Sequence, residues 1–151
     1  TYGDPGREAA QTVLHEQMHN RVAELSDDHQ QSLYDCIKGV GDAPYAGSAW
    51  VHQSFSVGWS TGMVSPYASR NIHEDIAETA TTLLAGDPEA LREQFDAAQP
   101  WFAYVGEDAW HDGIDVMRSK HTCFSLHGLY KKDEGRVAAE TLDSLEAVRH
   151  E

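Results

Sequence analysis

Two cysteines, Cys36 and Cys123, are all that the 151 residues contain. Neither belongs to a Cys-x-x-Cys pair, which disfavours a thiolate zinc site or a dithiol redox motif. The sequence leaves open whether the two pair with each other. Basic residues are also scarce, 11 against 25 acidic ones, for a net charge of -14. Such a surface repels phosphates, so it argues against nucleic acid as a partner and favours solubility. No uninterrupted apolar run approaches the length of a membrane span. No Gly-x-Ser-x-Gly supports a serine nucleophile, and there is no internal repeat or low-complexity stretch. The chain has neither a starting Met nor a charged-then-apolar leader. The expectation is a secreted or extracytoplasmic protein from which a leader or a preceding domain has been removed.

What remains is enough for one ordinary domain. Apolar residues make up 40% of the chain, and its length buries a core that folds alone. Asp4-Pro5 reads as a helix start, with Ala9, Ala10, Val13, Leu14, Met18, Val22 and Leu25 recurring at helical spacing. Ser26-Asp27 can cap a second helix through Leu33, Tyr34 and Ile37. Gly39, Gly41, Pro44 and Gly47 mark a loop, and alternation over residues 50–57 suggests a strand. A third helix is expected from about Asn71 to Ala85, with Ile72, Ile76, Ala80, Leu83 and Leu84 inward. Another begins at Asp87-Pro88-Glu89, anchored by Leu91 and Phe95. Residues 99–132 resist assignment. A last helix runs from about Asp133 to His150 on Val137, Ala138, Leu142, Leu145 and Val148.

The first helix carries His15-Glu16-x-x-His19. Histidines four apart lie one turn above each other on one helical face, so both imidazoles can reach one metal ion, with Glu16 beside them. The pattern is short, and a catalytic zinc site needs a third protein ligand plus an open position for water. The third helix offers it in Glu74-Asp75-Ile76-Ala77-Glu78. Glu74 and Glu78 share a face, and the small Ala77 beside them permits close helix packing. A carboxylate on a packed face is costly unless it is paired or binds metal. Glu74 as ligand and Glu78 as partner to a ligating histidine would satisfy both. Asp75 is the nearest competitor, but it points about 100° around the helix from Glu74.

With Val64-Ser65-Pro66-Tyr67-Ala68 ahead of Glu-x-x-Ala-Glu, the chain resembles the gluzincin metallopeptidases. Within them it is similar to the branch that includes the protease domain of anthrax lethal factor and many bacterial zinc peptidases. The resemblance spans roughly residues 9 to 85. It implies that His15, His19 and Glu74 bind one catalytic zinc ion, that Glu16 is the general base and Tyr67 the oxyanion donor, and that Glu78 supports a ligand. The implied fold is mainly α, an α+β zincin-like domain over residues 1–151 with a minor sheet and its active-site helix near the N-terminus. Zincin domains usually place a small sheet before that helix. Here few residues precede His15, so the sheet comes either from residues 50–57 or from upstream, in which case the chain is a fragment or the C-terminal part of a longer protein.

The resulting expectation is a zinc metalloendopeptidase acting on protein or peptide substrates. Two rivals stand beside it: a zinc-binding, non-catalytic interaction or structural domain, and a metal-dependent amidohydrolase acting on a non-peptide amide. His111, His121 and His127, near Asp112 and Cys123, form a weaker candidate for a second metal site. His73 is expected on the surface. Trp50, Trp59, Trp101 and Trp110 are expected in the core or in pocket walls.

Overall fold

A computed structural model describes residues 5–40, 64, 68, 70–85 and 109–147. Among these residues the chain is helical, with five helices and no strand. They are α1 (Pro5–Glu24), α2 (Asp27–Lys38), α3 (Ile72–Ala85), α4 (Ala109–Leu126) and α5 (Glu134–Glu146). The expected strand at 50–57, the helix after Asp87 and Tyr67 lie outside the described residues. No described helix is long and apolar enough to cross a membrane.

The helix ends follow from their local chemistry. Proline at the first position of α1 lacks an N–H that would have no intrahelical partner anyway. Ser26 caps α2 by accepting a hydrogen bond from the His29 backbone N–H at 3.2 Å, and Asp27 and Asp28 complement its positive end. The Gln30 side chain turns back to donate to the carbonyls of Val22, Ala23 and Leu25 at 2.8, 3.3 and 3.3 Å. It thereby satisfies the C-terminal acceptors of α1 and closes the α1–α2 corner. Asn71 accepts from the Glu74 N–H at 2.9 Å, fixing the first turn of α3. After α4 the Leu129 N–H bonds the Phe124 carbonyl at 3.0 Å and Gly128 takes φ 79°. This turn ends the helix in the left-handed conformation that glycine adopts without penalty.

A core cluster joins four of the helices: Met18 and Val22 of α1, Leu33 and Ile37 of α2, Ile76, Ala77 and Ala80 of α3, and Cys123, Phe124 and Leu129 at the end of α4. Helix α3 is central, touching all four others, and α1 packs most extensively on it. The buried line of α1 is narrower than the sequence pattern implied. Met18 and Val22 are buried and Leu14 and Leu25 half-buried, but Ala9 and Ala10 are exposed and Val13 is 57% exposed. Among the described residues α1 packs chiefly on α3, which covers one stripe, and Ala9, Ala10 and Val13 lie off it. Helices α3 and α5 keep most of their expected faces: Ile76, Ala80, Leu83, Ala138, Leu142 and Leu145 are buried, Ile72, Leu84 and Val137 are half-buried, and Val148 lies outside the described residues.

Four links brace the described helices. Cys36 of α2 and Cys123 of α4 form a disulfide, resolving what the sequence left open. Arg21 of α1 makes a two-pronged pair with Glu134 of α5 at 2.6 and 3.1 Å, and Glu134 also accepts from the Lys131 N–H. Burial alone would raise the Glu134 carboxyl. The Arg21 and Lys131 hydrogen bonds and charges outweigh it and hold the group below its ordinary value. His111–Glu146 and Arg118–Asp143, each at 2.9 Å, tie α4 to α5.

Two outcomes follow. The disulfide closes a loop of 87 residues, so Cys36→Ser/Cys123→Ser should lower the unfolding free energy by about 4–5 kcal/mol in urea titrations. Because the folded Glu134 pKa is depressed, its pair with Arg21 stabilises the protein above the ordinary glutamate range, and that contribution is lost as pH falls through the folded value. Glu134→Gln should therefore be less stable than wild type at neutral pH, and the gap should close on acidification.

Candidate metal centre

Helices α1 and α3 run antiparallel, and three side-chain contacts mark their seam. Gln11 donates to the Ala85 carbonyl at 3.1 Å, His15 meets Glu78 at 2.8 Å, and His19 meets Glu74 at 2.9 Å. Numbers rise along α1 as they fall along α3. The i, i+4 spacing of the two histidines thus faces the i, i+4 spacing of the two glutamates. Ala77, 1% exposed, keeps the helices close.

The functional atoms converge at this seam. His15, His19 and Glu74 each offer a ligand atom, and these atoms lie within 4.8 Å of one another. His15 Nε2 and His19 Nε2 are 3.1 Å apart, His19 Nε2 is 2.9 Å from Glu74 Oε1, and His15 Nε2 is 3.4 Å from Glu74 Oε2. The side chains are 12, 29 and 14% exposed, so the cluster is half-buried with His19 toward solvent.

The chemistry of this donor set fits a zinc ion. Glu78 Oε2 lies 2.8 Å from His15 Nδ1. In the tautomer in which Nδ1 donates to Glu78, Nε2 presents its lone pair to the cluster. That lone pair faces a second imidazole nitrogen and a carboxylate, an arrangement that a cation stabilises. Glu74 Oε2 is buried without a hydrogen bond among the described residues; its approach to His15 at 3.4 Å does not supply one. Zinc sits about 2.0–2.2 Å from such donors, which puts the donors of a tetrahedron roughly 3.3–3.6 Å apart. The two imidazole nitrogens, 3.1 Å apart, each have one Glu74 oxygen within 3.4 Å, and one ligand atom from each of the three residues lies within 4.8 Å of the others, so small side-chain adjustments reach that edge length. Three protein ligands would leave one position for water or substrate.

The neighbouring candidates are employed elsewhere. Asp75, fully buried, faces away and pairs with Lys120 at 2.9 Å. His73 is exposed, its ring edge-on to Tyr34 at 5.3 Å. The second metal site considered on α4 does not form among the described residues. His111 is bound to Glu146 and His121 to the Tyr130 hydroxyl at 2.9 Å, while burial and then the Arg118 charge hold His121 below its ordinary pKa. Glu16 lies on the exposed side of α1 between the two histidines. The sequence reading missed Lys120. Its signal was a lysine in line with Ile114, Met117 and Phe124, which marks a charge on a buried face.

At free zinc a thousandfold above its Kd, binding should stabilise the wild-type fold by about 4 kcal/mol in thermal unfolding. Glu74→Ala should lose most of that gain. Glu78→Ala should keep the site and weaken it about 10–100-fold, read by chelator competition.

Comparison with curated proteins and with solved structures gives no match. Residues 4–131 match a family described as "putative zinc-binding metallo-peptidase". With most of the chain covered, and the seam of α1 and α3 inside the matched span, the protein belongs to this zinc-binding metallopeptidase family.

Proposed function

We propose that this protein is a zinc-dependent metalloendopeptidase of gluzincin type, a single zincin-like domain that hydrolyses peptide bonds. The observation that carries the reading is the convergence of His15, His19 and Glu74, with Glu78 holding the far nitrogen of His15. The order His-Glu-x-x-His, Tyr67, Glu-x-x-Ala-Glu supports the gluzincin branch and its likeness to the lethal factor protease domain.

In this reading His15, His19 and Glu74 hold the metal. Bound zinc supplies a Lewis acid that polarises the scissile carbonyl and brings the pKa of a water toward neutrality. Glu16, exposed beside the two histidines, accepts the proton of the attacking water and delivers it to the leaving amine. Tyr67 donates a hydrogen bond to the oxygen that gains charge as the carbonyl is attacked. Glu78 fixes the ring orientation and tautomer of His15, so that its lone pair stays aimed. The Cys36–Cys123 disulfide supports an extracytoplasmic site of action, where such bonds persist.

The test is cleavage of a casein-like protein by the zinc-loaded chain. Activity should vanish with a chelator and return with zinc. Glu16→Gln should abolish turnover while zinc content stays at wild-type level. Tyr67→Phe should retain zinc and lose about 3 kcal/mol of transition-state stabilisation, on the order of a hundredfold in kcat. Full activity in Glu16→Gln would refute the assigned base. A zinc-loaded protein that cleaves no peptide bond but hydrolyses a small amide would favour an amidohydrolase. One inert to both would favour a non-catalytic zinc module.

A further inference from the structure

We propose that the buried Lys120–Asp75 ion pair is a positioning device for the metal centre: it fixes the rotation of α3 about its own axis and so keeps Glu74 and Glu78 turned toward α1. The inference rests on the zinc reading of that site.

Helix α3 carries two polar rows side by side. Glu74 and Glu78 form one and meet His15 and His19. Asp75 and Thr79, one residue further on in each case, form the other, about 100° around the helix. This second row is sealed from water, with Asp75 and Thr79 at 0% exposure and Lys120 at 2%. Lys120 Nζ and Thr79 Oγ1 both donate to Asp75 Oδ1 at 2.9 Å. The apolar face between α3 and its neighbours consists of Ile76, Ala77, Ala80 and Leu83. Aliphatic contacts of this kind accept small rotations, because dispersion has little directionality. A buried ammonium–carboxylate contact does not, since lengthening it leaves charge unpaired in a dry interior.

The lever arm makes rotation matter. A side-chain end roughly 5–6 Å from a helix axis moves about 2 Å when the helix turns by about 20°, whereas a functional constellation must be held within about 0.5 Å. Stability does not account for the pair. Replacing a buried ion pair with apolar residues of similar volume is often neutral or stabilising, while removing one partner alone is strongly destabilising. What the pair adds is a preferred angle for α3.

The test compares the full chain with Asp75→Leu/Lys120→Met. Three quantities are measured: the unfolding midpoint in the presence of chelator, the zinc Kd by competition with a chromophoric chelator, and the visible spectrum of the cobalt(II)-substituted protein. The expected result is an unfolding midpoint at or above wild type, zinc binding weakened 10–100-fold, and altered cobalt bands. A folded double variant with zinc affinity within twofold of wild type and an unchanged cobalt spectrum would overturn the proposal. Should the double variant fail to fold, Thr79→Val carries the test, since it removes one donor to Asp75 at nearly constant volume. Several-fold weaker zinc binding supports the proposal, and unchanged affinity overturns it. Glu74→Ala serves as the reference. If it leaves zinc affinity intact, the metal centre itself is misassigned. If it loses zinc while the double variant does not, only the positioning role falls.

Discussion

A half-buried carboxylate facing two imidazoles across a helix seam is the constraint on which the described structure depends. Glu74 is 14% exposed, with one oxygen 2.9 Å from His19 and the other buried without a hydrogen bond among the described residues. Bringing an acceptor-only group together with nitrogen lone pairs concentrates negative potential at the seam. Apolar burial alone would not choose this pairing, because Ile76, Ala77 and Ala80 pack equally well against any aliphatic stripe. The arrangement makes sense as a cation site, and its energetics link metal binding to the stability of the fold.

Because α1 supplies two of the three candidate ligands and the candidate base, its register against α3 must be set along its whole length. One end is fixed where Gln11 reaches the Ala85 carbonyl, and the other where Arg21 grips Glu134 at the start of α5. These contacts oppose sliding along the seam. The disulfide between Cys36 and Cys123 joins α2 to α4. It narrows the unfolded ensemble more than it shapes the site.

Much of this was legible in the sequence because the signals were local. Proline at the start of α1, Ser26 before α2 and the apolar rhythm of α3 each follow from rules that act over a single turn. The cluster was legible for a related reason: the i, i+4 pairs His15/His19 and Glu74/Glu78 state a face without reference to the rest of the chain. Helix α4 was not. Its buried line runs through Gly113, Ile114, Met117, Lys120, Cys123 and Phe124. A glycine, a lysine and a cysteine break the apolar period even though all three positions are inside. Lys120 is inside because Asp75 is there to meet it, and that complementarity is invisible until α3 and α4 are placed together. Val13 failed in the opposite sense: it fits the apolar rhythm of α1, but it lies off the stripe that faces α3 and is exposed.

Axial and rotational order are separate problems in a helical site, and the chain solves them with different chemistry. Hydrogen bonds at helix ends, such as those of Gln11 and Gln30, anchor carbonyls that lie along the axis, so they resist translation. They constrain rotation weakly, because a flexible amide can follow a carbonyl through a modest turn. Rotation must be opposed by a contact that is off-axis, short and intolerant of lengthening. In α3 the buried pair of Asp75 with Lys120 is such a contact. Placing it one residue from Glu74 couples the two directly: any turn that moves the ligand moves the buried charge by the same angle. The adjacent acidic residues Glu74-Asp75 therefore divide the work, one facing the seam and the other holding it in place.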